Sequence, residues 1–460
     1  MRNKGKYLIL FTAFLCIELI SGTVDCDISG SDKLANEKNY LIPSAQLLLG
    51  NSLIALSNNY IFEQDYAKIS FKSIEKNLKG EWEWDADNFE VNQIGHPFQG
   101  SVYFSAARNN GHSYLPSGAF TAAGSLQWEY FMETEKPSVN DFVTTTMGGS
   151  MLGEMINRIS YKILDDSARG AERLVRESSV FIINPSMGVN RIINGHIRRI
   201  SKRNKYYNIP FKMQISTSKN IIDRIISENL DMGNVDSIST GPFANYNLRI
   251  VYGDPYTAER CFDYFLLFTG FSFDEDIIGN VSARALLWKR NVNITEKAHN
   301  AIGIFQNFDY ISSPEYSVGA NSLGFEFMAR TKSKRDWFLS SEYQAGFIIM
   351  GAATTEYYVD IERDYNLGPG AYLKIIMSLS KPDFADLTLN LNRFWIRTVS
   401  GADGIESIGL GSIEIKKNIY KNFSIGVSYN FYDREGYYND HPDVSMFYNE
   451  IKAIAYYKLI

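Results

Sequence analysis

The sequence is poor in the residues that build metal centres and disulfide frameworks. Its 460 residues include three Cys and five His, and no two His stand four positions apart. Zinc sites and disulfide-rich folds need more of these residues at close spacing. We therefore expect no metal site, no cofactor and no disulfide framework. A single disulfide between Cys26 and Cys261 is not expected either.

The chain also lacks a second long apolar run and an excess of basic residues. Beyond residue 20, no segment resembles the roughly 20 apolar residues of a membrane-spanning helix. The net charge is −6, whereas a nucleic-acid-binding surface must be basic. These absences exclude a helical membrane protein and a nucleic-acid partner. The Gly-x-Ser-x-Gly motif of many serine hydrolases is absent as well.

The N-terminus favours export from the cell. Arg2, Lys4 and Lys6 precede a short apolar stretch at 7–20, and small or polar residues follow at 21–26. A basic start, an apolar centre and a small polar end are typical of a secretory signal peptide. We interpret residues 1–26 as a signal peptide, with a buried N-terminal helix as the alternative. The exported chain is then either soluble or a membrane barrel.

The C-terminal half alternates between apolar and small polar residues. In 423–431 the odd positions are Phe, Ile, Val, Tyr and Phe, and the even positions are Ser, Gly, Ser and Asn. Since successive side chains of a strand point to opposite faces, each such segment has one apolar face. The pattern predicts about 12 strands: 209–215, 246–252, 264–273, 281–289, 302–308, 323–329, 337–349, 372–379, 387–396, 405–415, 423–431 and 446–460.

The length of these segments favours a membrane barrel. The segment 337–349 keeps one apolar face for longer than the ~5–6 residues of an ordinary strand. We therefore predict an antiparallel up-and-down membrane β-barrel over 201–460, in the outer membrane of a Gram-negative bacterium. Its partners would be outer-membrane lipid and the barrel-assembly machinery. The alternative is a soluble periplasmic β-rich binding protein.

The preceding region, 27–200, is predicted to be an α-helical domain. Helices are expected at 43–56, 97–109, 119–133, 137–164 and 168–180, with an extended piece at 66–74. Ser138 is the expected N-cap of the longest helix. Gly148, Gly149 and Gly153 within that helix suggest close approach of another backbone. The helices either plug the barrel lumen or form a periplasmic domain.

Polar and aromatic motifs are dense in this helical region. They begin with Trp84, Asp85, Asp87, Phe89 and Asn92, continue with His96, Pro97, Gly100 and Arg108, and end with Asn140 and Asp141. Across 77–195 the series resembles an uncharacterised bacterial family known only as a domain of unknown function. The resemblance implies an exported protein with a barrel-like C-terminal part. It implies no reaction, substrate or catalytic residue.

Five ionisable residues in this region are candidates for chemistry: His96, His112, Glu129, Glu154 and Arg158. If they converge, a His beside carboxylates would suit acid–base work, because its charge changes near neutral pH. A lipid-acting enzyme, either a hydrolase or a transferase on lipid head groups, is then the alternative function. The structural interpretation is an i,i+4 pair of Glu154 with Arg158 and a helix start capped by His96. The preferred function is a structural, binding or transport role at the outer membrane.

Overall fold

The computed structural model describes residues 38–200, 209–226, 245–271, 278–294, 298–313, 316–358 and 363–460, without the side chains of 221–226. The chain divides into two compact units, Met1–Asn208 and Ile209–Ile460. The predicted signal peptide lies outside the described residues.

The described part of the first unit is helical, as predicted. Its longest helix, α5 (Val139–Ile163), is buried along most of its length and contacts α3 (His96–Arg108) and α4 (Tyr114–Phe131). None of the described helices is long and apolar enough to cross a membrane. The helices are α1 (Leu41–Tyr60), α2 (Phe71–Lys79), α3 (His96–Arg108), α4 (Tyr114–Phe131), α5 (Val139–Ile163), α6 (Gly170–Ile183) and α7 (Pro185–Ile193).

Glycines allow the backbones of α3 and α5 to touch. A Cβ placed on Gly149 would lie 2.5 Å from the Cα of Gly100, and a Cβ on Gly100 would lie 2.0 Å from the carbonyl oxygen of Thr145. A Cβ on Gly153 would lie 2.7 Å from the ring of Phe104. Small residues at a helix contact permit this separation. The predicted close approach of another backbone is confirmed for Gly149, whereas Gly153 packs against the side chain of Phe104.

The extended piece predicted at 66–74 is wrong. A short turn at Asp65–Ala67 leads instead into α2. Ser70 Oγ accepts a hydrogen bond from the backbone N–H of Ser73 at 3.1 Å, and Ser73 Oγ accepts one from the N–H of Ser70 at 2.9 Å. This reciprocal capping box satisfies two free N–H groups at the helix start. These capping hydrogen bonds favour a helix more than the alternating residues favour an extended piece.

The helix that we expected to begin at Pro97 begins earlier. A π-helical turn, Val91–Gly95, leads directly into α3, and Asn88 Oδ1 accepts a hydrogen bond from Val91 N–H at 2.9 Å. A wider turn with i→i+5 bonding accommodates a proline, which has no N–H to donate. His96 is therefore inside a continuous helical segment and does not cap it.

The second unit is a closed antiparallel barrel of twelve strands, which confirms the predicted fold class. Each strand pairs with its neighbours in sequence, and β1 pairs with β12 to close the sheet, with Gln214 opposite Lys458. Most strands extend beyond their predicted bounds. They are β1 (Phe211–Ile226), β2 (Asn245–Tyr252), β3 (Phe265–Phe271), β4 (Ile278–Val292), β5 (Ala298–Ser312), β6 (Ser317–Lys332), β7 (Phe338–Thr354), β8 (Tyr365–Lys381), β9 (Ala385–Arg397), β10 (Gly404–Tyr420), β11 (Phe423–Tyr438) and β12 (Val444–Lys458).

The outer wall is apolar over a limited height. On β11, Val427 and Tyr429 are exposed, whereas Ser428 between them is buried. This apolar stretch runs from Phe423 to Phe431, which matches the ~9–11 residues that a tilted strand needs to cross a membrane. Beyond it the outward positions of the strand are acidic.

Those acidic positions mark the edge of the apolar band. Asp433 and Glu435 follow on the same face of β11, and both pair with Arg393 of β9. The Arg393 Nη2 to Glu435 Oε2 distance is 3.2 Å, and all three side chains remain partly exposed to solvent. An exposed ion pair of this kind contributes little to stability. Its position marks the end of the apolar stretch on this strand.

One connecting loop folds against the inner wall. The segment between β2 and β3 packs Ala258 and Tyr264 against Phe305 and Met328. Cys261 in this loop is buried and disulfide-bonded, so our expectation of no disulfide was wrong. The loop narrows the lumen beside β4, β5 and β6.

Replacing Gly149 with Ala should destabilise the helical unit by about 1–3 kcal/mol or more, because the new methyl group meets backbone rather than a side chain that can move. Gly118→Ala is the matched control. The new Cβ would make ordinary contact with Ser150 Oγ at 3.4 Å. The higher helix propensity of alanine should then stabilise the helical unit by up to about 1 kcal/mol. Urea unfolding of the full-length protein, followed by its helical circular dichroism, measures both. Equal stability of the two variants would contradict the close contact.

Candidate functional site

Ionisable side chains from several segments surround the start of α5 and form a group that we call the acidic cluster: Asp85, His96, Glu129, Glu133 and Asp141. His96 Nε2 lies 3.6 Å from Asp141 Oδ1, and both side chains are nearly buried. Ser138 caps α5 as predicted, since its Oγ accepts from the N–H of Asp141 at 3.3 Å. Its own N–H donates to Glu129 Oε2 at 2.7 Å. The helix start therefore fixes two of the carboxylates.

Amide side chains connect the cluster to the segment that precedes the π-turn. Asn140 Oδ1 accepts from the N–H of Asp85 at 2.9 Å, and Asn140 Nδ2 donates to Asn92 Oδ1 at 3.0 Å. Asp85 Oδ2 accepts from Asn92 Nδ2 and from the N–H of Asp87, both at 2.8 Å. Five motif residues, Asp85, Asp87, Asn92, Asn140 and Asp141, thus lie in one network. Their hydrogen bonds satisfy polar groups that burial would otherwise penalise.

The other motif residues support this arrangement from outside the network. Phe89 and Pro97 are buried, and Trp84 is half-buried. Gly100 lies at the contact of α3 with α5. Gly100 therefore lets the two helices approach closely, and Phe89 and Pro97 are core side chains.

Burial drives four groups of the acidic cluster, His96, Glu129, Glu133 and Asp141, towards their neutral forms. It lowers the pKa of His96 to about 4, against an opposing effect of Asp85. It raises the pKa of Glu129 to about 8, with Asp85 adding to the shift. Burial also raises the pKa values of Glu133 and Asp141 well above their ordinary range. The charged form of each group loses hydration that the cluster does not replace.

A second group lies further along α5 and consists of Arg108, Glu154 and Arg158. Glu154 is fully buried and accepts from Arg108 Nε at Oε2 and from Arg158 Nε at Oε1, each at 2.8 Å. Burial alone would raise the pKa of Glu154, but the two guanidinium groups outweigh it and hold the pKa below its usual value. The predicted i,i+4 pair is confirmed, and Arg108 is its third member.

His112 takes part in this second group only through its backbone. Its carbonyl oxygen accepts from Arg108 Nη1 at 3.0 Å. Its ring lies beside Tyr40 and Phe120, and its Nε2 is 2.9 Å from the carbonyl oxygen of Asn39. The imidazole is a packing element here.

The five candidate residues therefore do not converge. His96 and Glu129 belong to the acidic cluster, and Glu154 with Arg158 belongs to the second group. Asp141 and Glu154 are thirteen positions apart on one helix, which is about 20 Å at 1.5 Å per residue. A lipid-acting enzyme has no single site built from all five. Catalysis by either group alone stays a prediction.

Sequence reasoning missed Glu133 and Gln93. Glu133 Oε2 accepts from Trp128 Nε1 at 3.0 Å, and Glu133 stands four residues after Glu129, just beyond the end of α4 at Phe131. That i,i+4 pair of like charges was the available indication. Gln93 is buried, and neither of its amide atoms has a partner among the described residues. Nothing in the sequence distinguished it from a surface glutamine.

The barrel interior holds a third group, which we call the lumen cluster: Arg284, Asp309, Glu326, Glu342 and Lys374. Arg284 of β4 pairs with Glu326 of β6 at 3.1 Å and with Glu342 of β7 at 2.7 Å. Lys374 of β8 pairs with Asp309 of β5 at 2.6 Å. These pairs join strands that are two or three positions apart around the ring. They therefore lie over the inner faces of the strands between them.

Uncharged polar groups complete the lumen cluster. Gln344 stands directly between Glu326 and Lys374 in the strand register, and it is 2% exposed. Among the described residues, neither amide atom of Gln344 has a partner. Asn307 donates to the hydroxyl of Tyr372 at 2.8 Å. The inner wall therefore offers hydrogen-bonding capacity that the protein does not use.

The described residues include no group of three or more His, Cys, Asp or Glu side chains placed to hold a metal ion.

Comparison with known families agrees with the motif resemblance. Residues 81–186 match the family model described as Domain of unknown function (DUF3943). This confirms the resemblance for that part of the chain. No curated protein matches the sequence.

Several solved structures resemble the barrel. The NanC porin is 10% identical, covers 54% of this chain and 100% of its own, and has a TM-score of 0.30. The outer membrane channel DcaP of Acinetobacter baumannii is 10% identical, with 55% and 97% covered and a TM-score of 0.22. The Pseudomonas putida toluene transporter TodX is 9% identical, with 55% and 90% covered and a TM-score of 0.23. At such values these likenesses carry no functional weight, and the barrel assignment follows from the strand pairing.

The raised pKa of Glu129 predicts a loss of stability as pH rises. A carboxyl whose folded pKa is about 8 favours folding fully below its unfolded pKa of about 4.3, and this contribution disappears as pH rises through 8. One such proton contributes a slope of at most about 1.4 kcal/mol per pH unit. Glu129→Gln should reduce the decline in unfolding free energy between pH 5 and 8. The decline that remains is the part due to Glu133 and Asp141.

Urea unfolding of the full-length protein at several pH values measures this slope through the helical circular dichroism. Glu172→Gln is the matched control, because Glu172 is exposed and pairs only at the surface with Arg176. An identical slope in Glu129→Gln and the wild type would contradict the predicted protonation of Glu129.

Proposed function

We propose that this chain is an integral outer-membrane β-barrel protein that binds or transports a polar solute through its lumen. The observation that carries the proposal is the opposite polarity of the two walls. Phe347 on the outside of β7 is 71% exposed, whereas Gln344 three positions earlier on that strand is buried inside. Closed barrels with an apolar outer band and a polar interior are the form in which strands cross membranes.

The outer wall supports a lipid environment. Exposed large apolar side chains recur on most strands, among them Phe325, Phe347, Ile415 and Val427. A monomeric soluble protein rarely exposes a continuous apolar surface of this extent. In a bilayer the same side chains would contact acyl chains. Outer-membrane lipid and the barrel-assembly machinery are then the partners that the proposal requires.

The lumen supports binding or gated passage rather than an open water-filled pore. Arg284, Glu326, Lys374 and Asp309 are each 2–7% exposed, so their ion pairs occupy the interior. A solute that passes this level must separate those pairs or replace their partners. Buried charges with unused hydrogen-bonding groups beside them are typical of a polar pathway.

Two substitutions on one strand distinguish lipid from water outside the barrel. Val427→Arg should destabilise a membrane barrel by about 2–4 kcal/mol, because Val427 lies within the apolar band. Tyr437→Arg lies beyond Asp433 and Glu435 and should cost at most about 1 kcal/mol. Both positions are about half exposed, so a soluble barrel would tolerate both equally.

The measurement is urea unfolding of each variant in lipid vesicles, together with membrane fractionation and heat-modifiable gel mobility of the wild type. Equal stability of the two variants, or release of the intact wild type into the soluble periplasm, would overturn the membrane barrel. The second result would favour a soluble β-rich binding protein.

Removal of the central cation should open the lumen. Arg284→Ala leaves Glu326 and Glu342 without their shared partner, and the repulsion between them favours separation and hydration of the site. We expect a several-fold higher conductance in planar bilayers, with a shift towards cation selectivity. Glu342→Gln breaks the same link from the other side and should raise conductance more modestly.

Arg393→Ala is the control, since its ion pairs lie on the outer wall. Heat-modifiable mobility verifies that each variant is folded. Folded Arg284→Ala and Glu342→Gln proteins with wild-type conductance would show that the lumen cluster does not limit passage.

A further inference from the structure

Helix α1 is apolar on its exposed side as well as on much of its buried side, where Leu47 packs against Tyr103 and Ala106. Leu49, Leu53, Leu56 and Tyr60 are spaced by four, three and four residues, so they form one stripe along the helix. All four are more than half exposed, and Leu53 is 64% exposed. Asn51, in contrast, is fully buried. One apolar stripe of this helix therefore points away from the helical unit, while Leu47 and Ala55 lie on the inward face with Asn51.

The inward face of α1 is held by hydrogen bonds. Asn51 Nδ2 donates to the carbonyl oxygen of Gly124 at 3.1 Å and to Gln127 Oε1 at 3.2 Å, and Asn51 Oδ1 accepts from the hydroxyl of Tyr103. Asn58 Nδ2 donates to the hydroxyl of Tyr66 at 2.9 Å. These bonds fix the rotation of the helix about its axis. The exposed leucine stripe is therefore a consequence of a specified fold.

The interior of the helical unit mixes apolar side chains with an unusual number of polar ones. Its buried side chains include many amides, hydroxyls and charges, as the acidic cluster and the Glu154 pairs illustrate. Its longest helix contains Gly149 and Gly153 four residues apart at close contacts. Polar interiors and small residues at helix contacts are features of helices that pack in a lipid environment. In water the unit would leave its apolar stripe without a partner.

Exposed apolar residues recur in the chain after α1, and a basic helix follows them. Ile61 and Phe62 are exposed after Tyr60, and Phe71 at the start of α2 is 94% exposed. Helix α2 carries three lysines and one glutamate, and Lys72 follows Phe71 directly. Lysine beside exposed aromatic and aliphatic residues complements an anionic lipid surface. A second copy of this chain that docked through its own α1 would not supply negative charge to the lysines of α2, because α1 has no charged residue.

We propose that the α1 stripe, Leu49, Leu53, Leu56 and Tyr60, lies in the boundary between head groups and acyl chains of a phospholipid bilayer, with α2 beside it on the head groups. None of the described helices can cross the membrane, so the helix lies in the surface. The barrel belongs to the same polypeptide, and a barrel anchored in the bilayer raises the local concentration of α1 at that surface. This proposal goes beyond the function of the barrel, because it assigns a membrane contact to the helical unit.

The test uses the full-length protein reconstituted in vesicles of phosphatidylethanolamine and phosphatidylglycerol. An environment-sensitive fluorescent amino acid replaces Leu53 in one sample and Glu90, an exposed acidic residue before the π-turn, in the other. We expect lipids with a nitroxide on the acyl chain to quench the reporter at Leu53 several-fold more than the reporter at Glu90. Adding Leu49→Glu should reduce the quenching of the Leu53 reporter.

Three results would overturn the proposal. Equal access of aqueous iodide to both reporters would mean that the stripe faces water. If neither nitroxide lipid nor iodide quenches the Leu53 reporter, and this protection disappears when the protein is diluted in lipid, a second copy covers the stripe. The same protection without dilution dependence would assign it to another part of this chain. Heat-modifiable mobility of each sample shows separately whether the barrel is inserted, so failure here is distinguishable from failure of the proposed barrel function.

Discussion

Both units of this chain depend on one constraint, which is that a charge removed from water needs an opposite charge or several hydrogen-bonding partners. In the helical unit, Glu154 lies between Arg108 and Arg158. In the barrel, Arg284 lies between two glutamates on other strands. Removing one partner from such a group costs about 3–5 kcal/mol. Each pair therefore also fixes the relative positions of the elements that carry it.

The barrel was predictable because its information is local. Alternation with a period of two shows which residues share a face, and a one-residue slip would move every side chain to the wrong face. Residues 423–431 were sufficient to recognise the two walls of β11. The strand ends were less predictable, because Asp433 and Glu435 continue the strand with charged residues. In the sequence a charged outward residue resembles a loop residue, although its backbone remains paired in the sheet.

The candidate site was only partly predictable, because its contacts join distant segments. The pair of Glu154 with Arg158 is four residues apart and was expected from helix geometry. Arg108 reaches the same carboxylate from another helix, and no spacing indicates that. The π-turn before Pro97 also escaped prediction. It rotates His96 to face Asp141, whereas a helix beginning at Pro97 would have placed His96 at its cap.

The acidic cluster determines how its segments pack, rather than providing a concentration of negative charge. With the pKa of His96 lowered and those of Glu129 and Asp141 raised, neutral forms dominate near neutral pH. Neutral hydrogen bonds to Asn140 and Ser138 then determine how the segment before α3 meets α5. Such networks define a unique packing even where apolar residues would be equally stable.

The same reasoning links the interior of each unit to its exterior. Asn51 in α1 and Gln344 in β7 occupy inward positions, and several large apolar residues of those elements lie on the outside. Leu53 and Phe347 then remain exposed, and each forgoes roughly 1.5–3 kcal/mol of burial in water. A bilayer beside both surfaces would restore that free energy without any change in the interior. The polar interiors and the proposed lipid contacts are therefore two consequences of one distribution of residues.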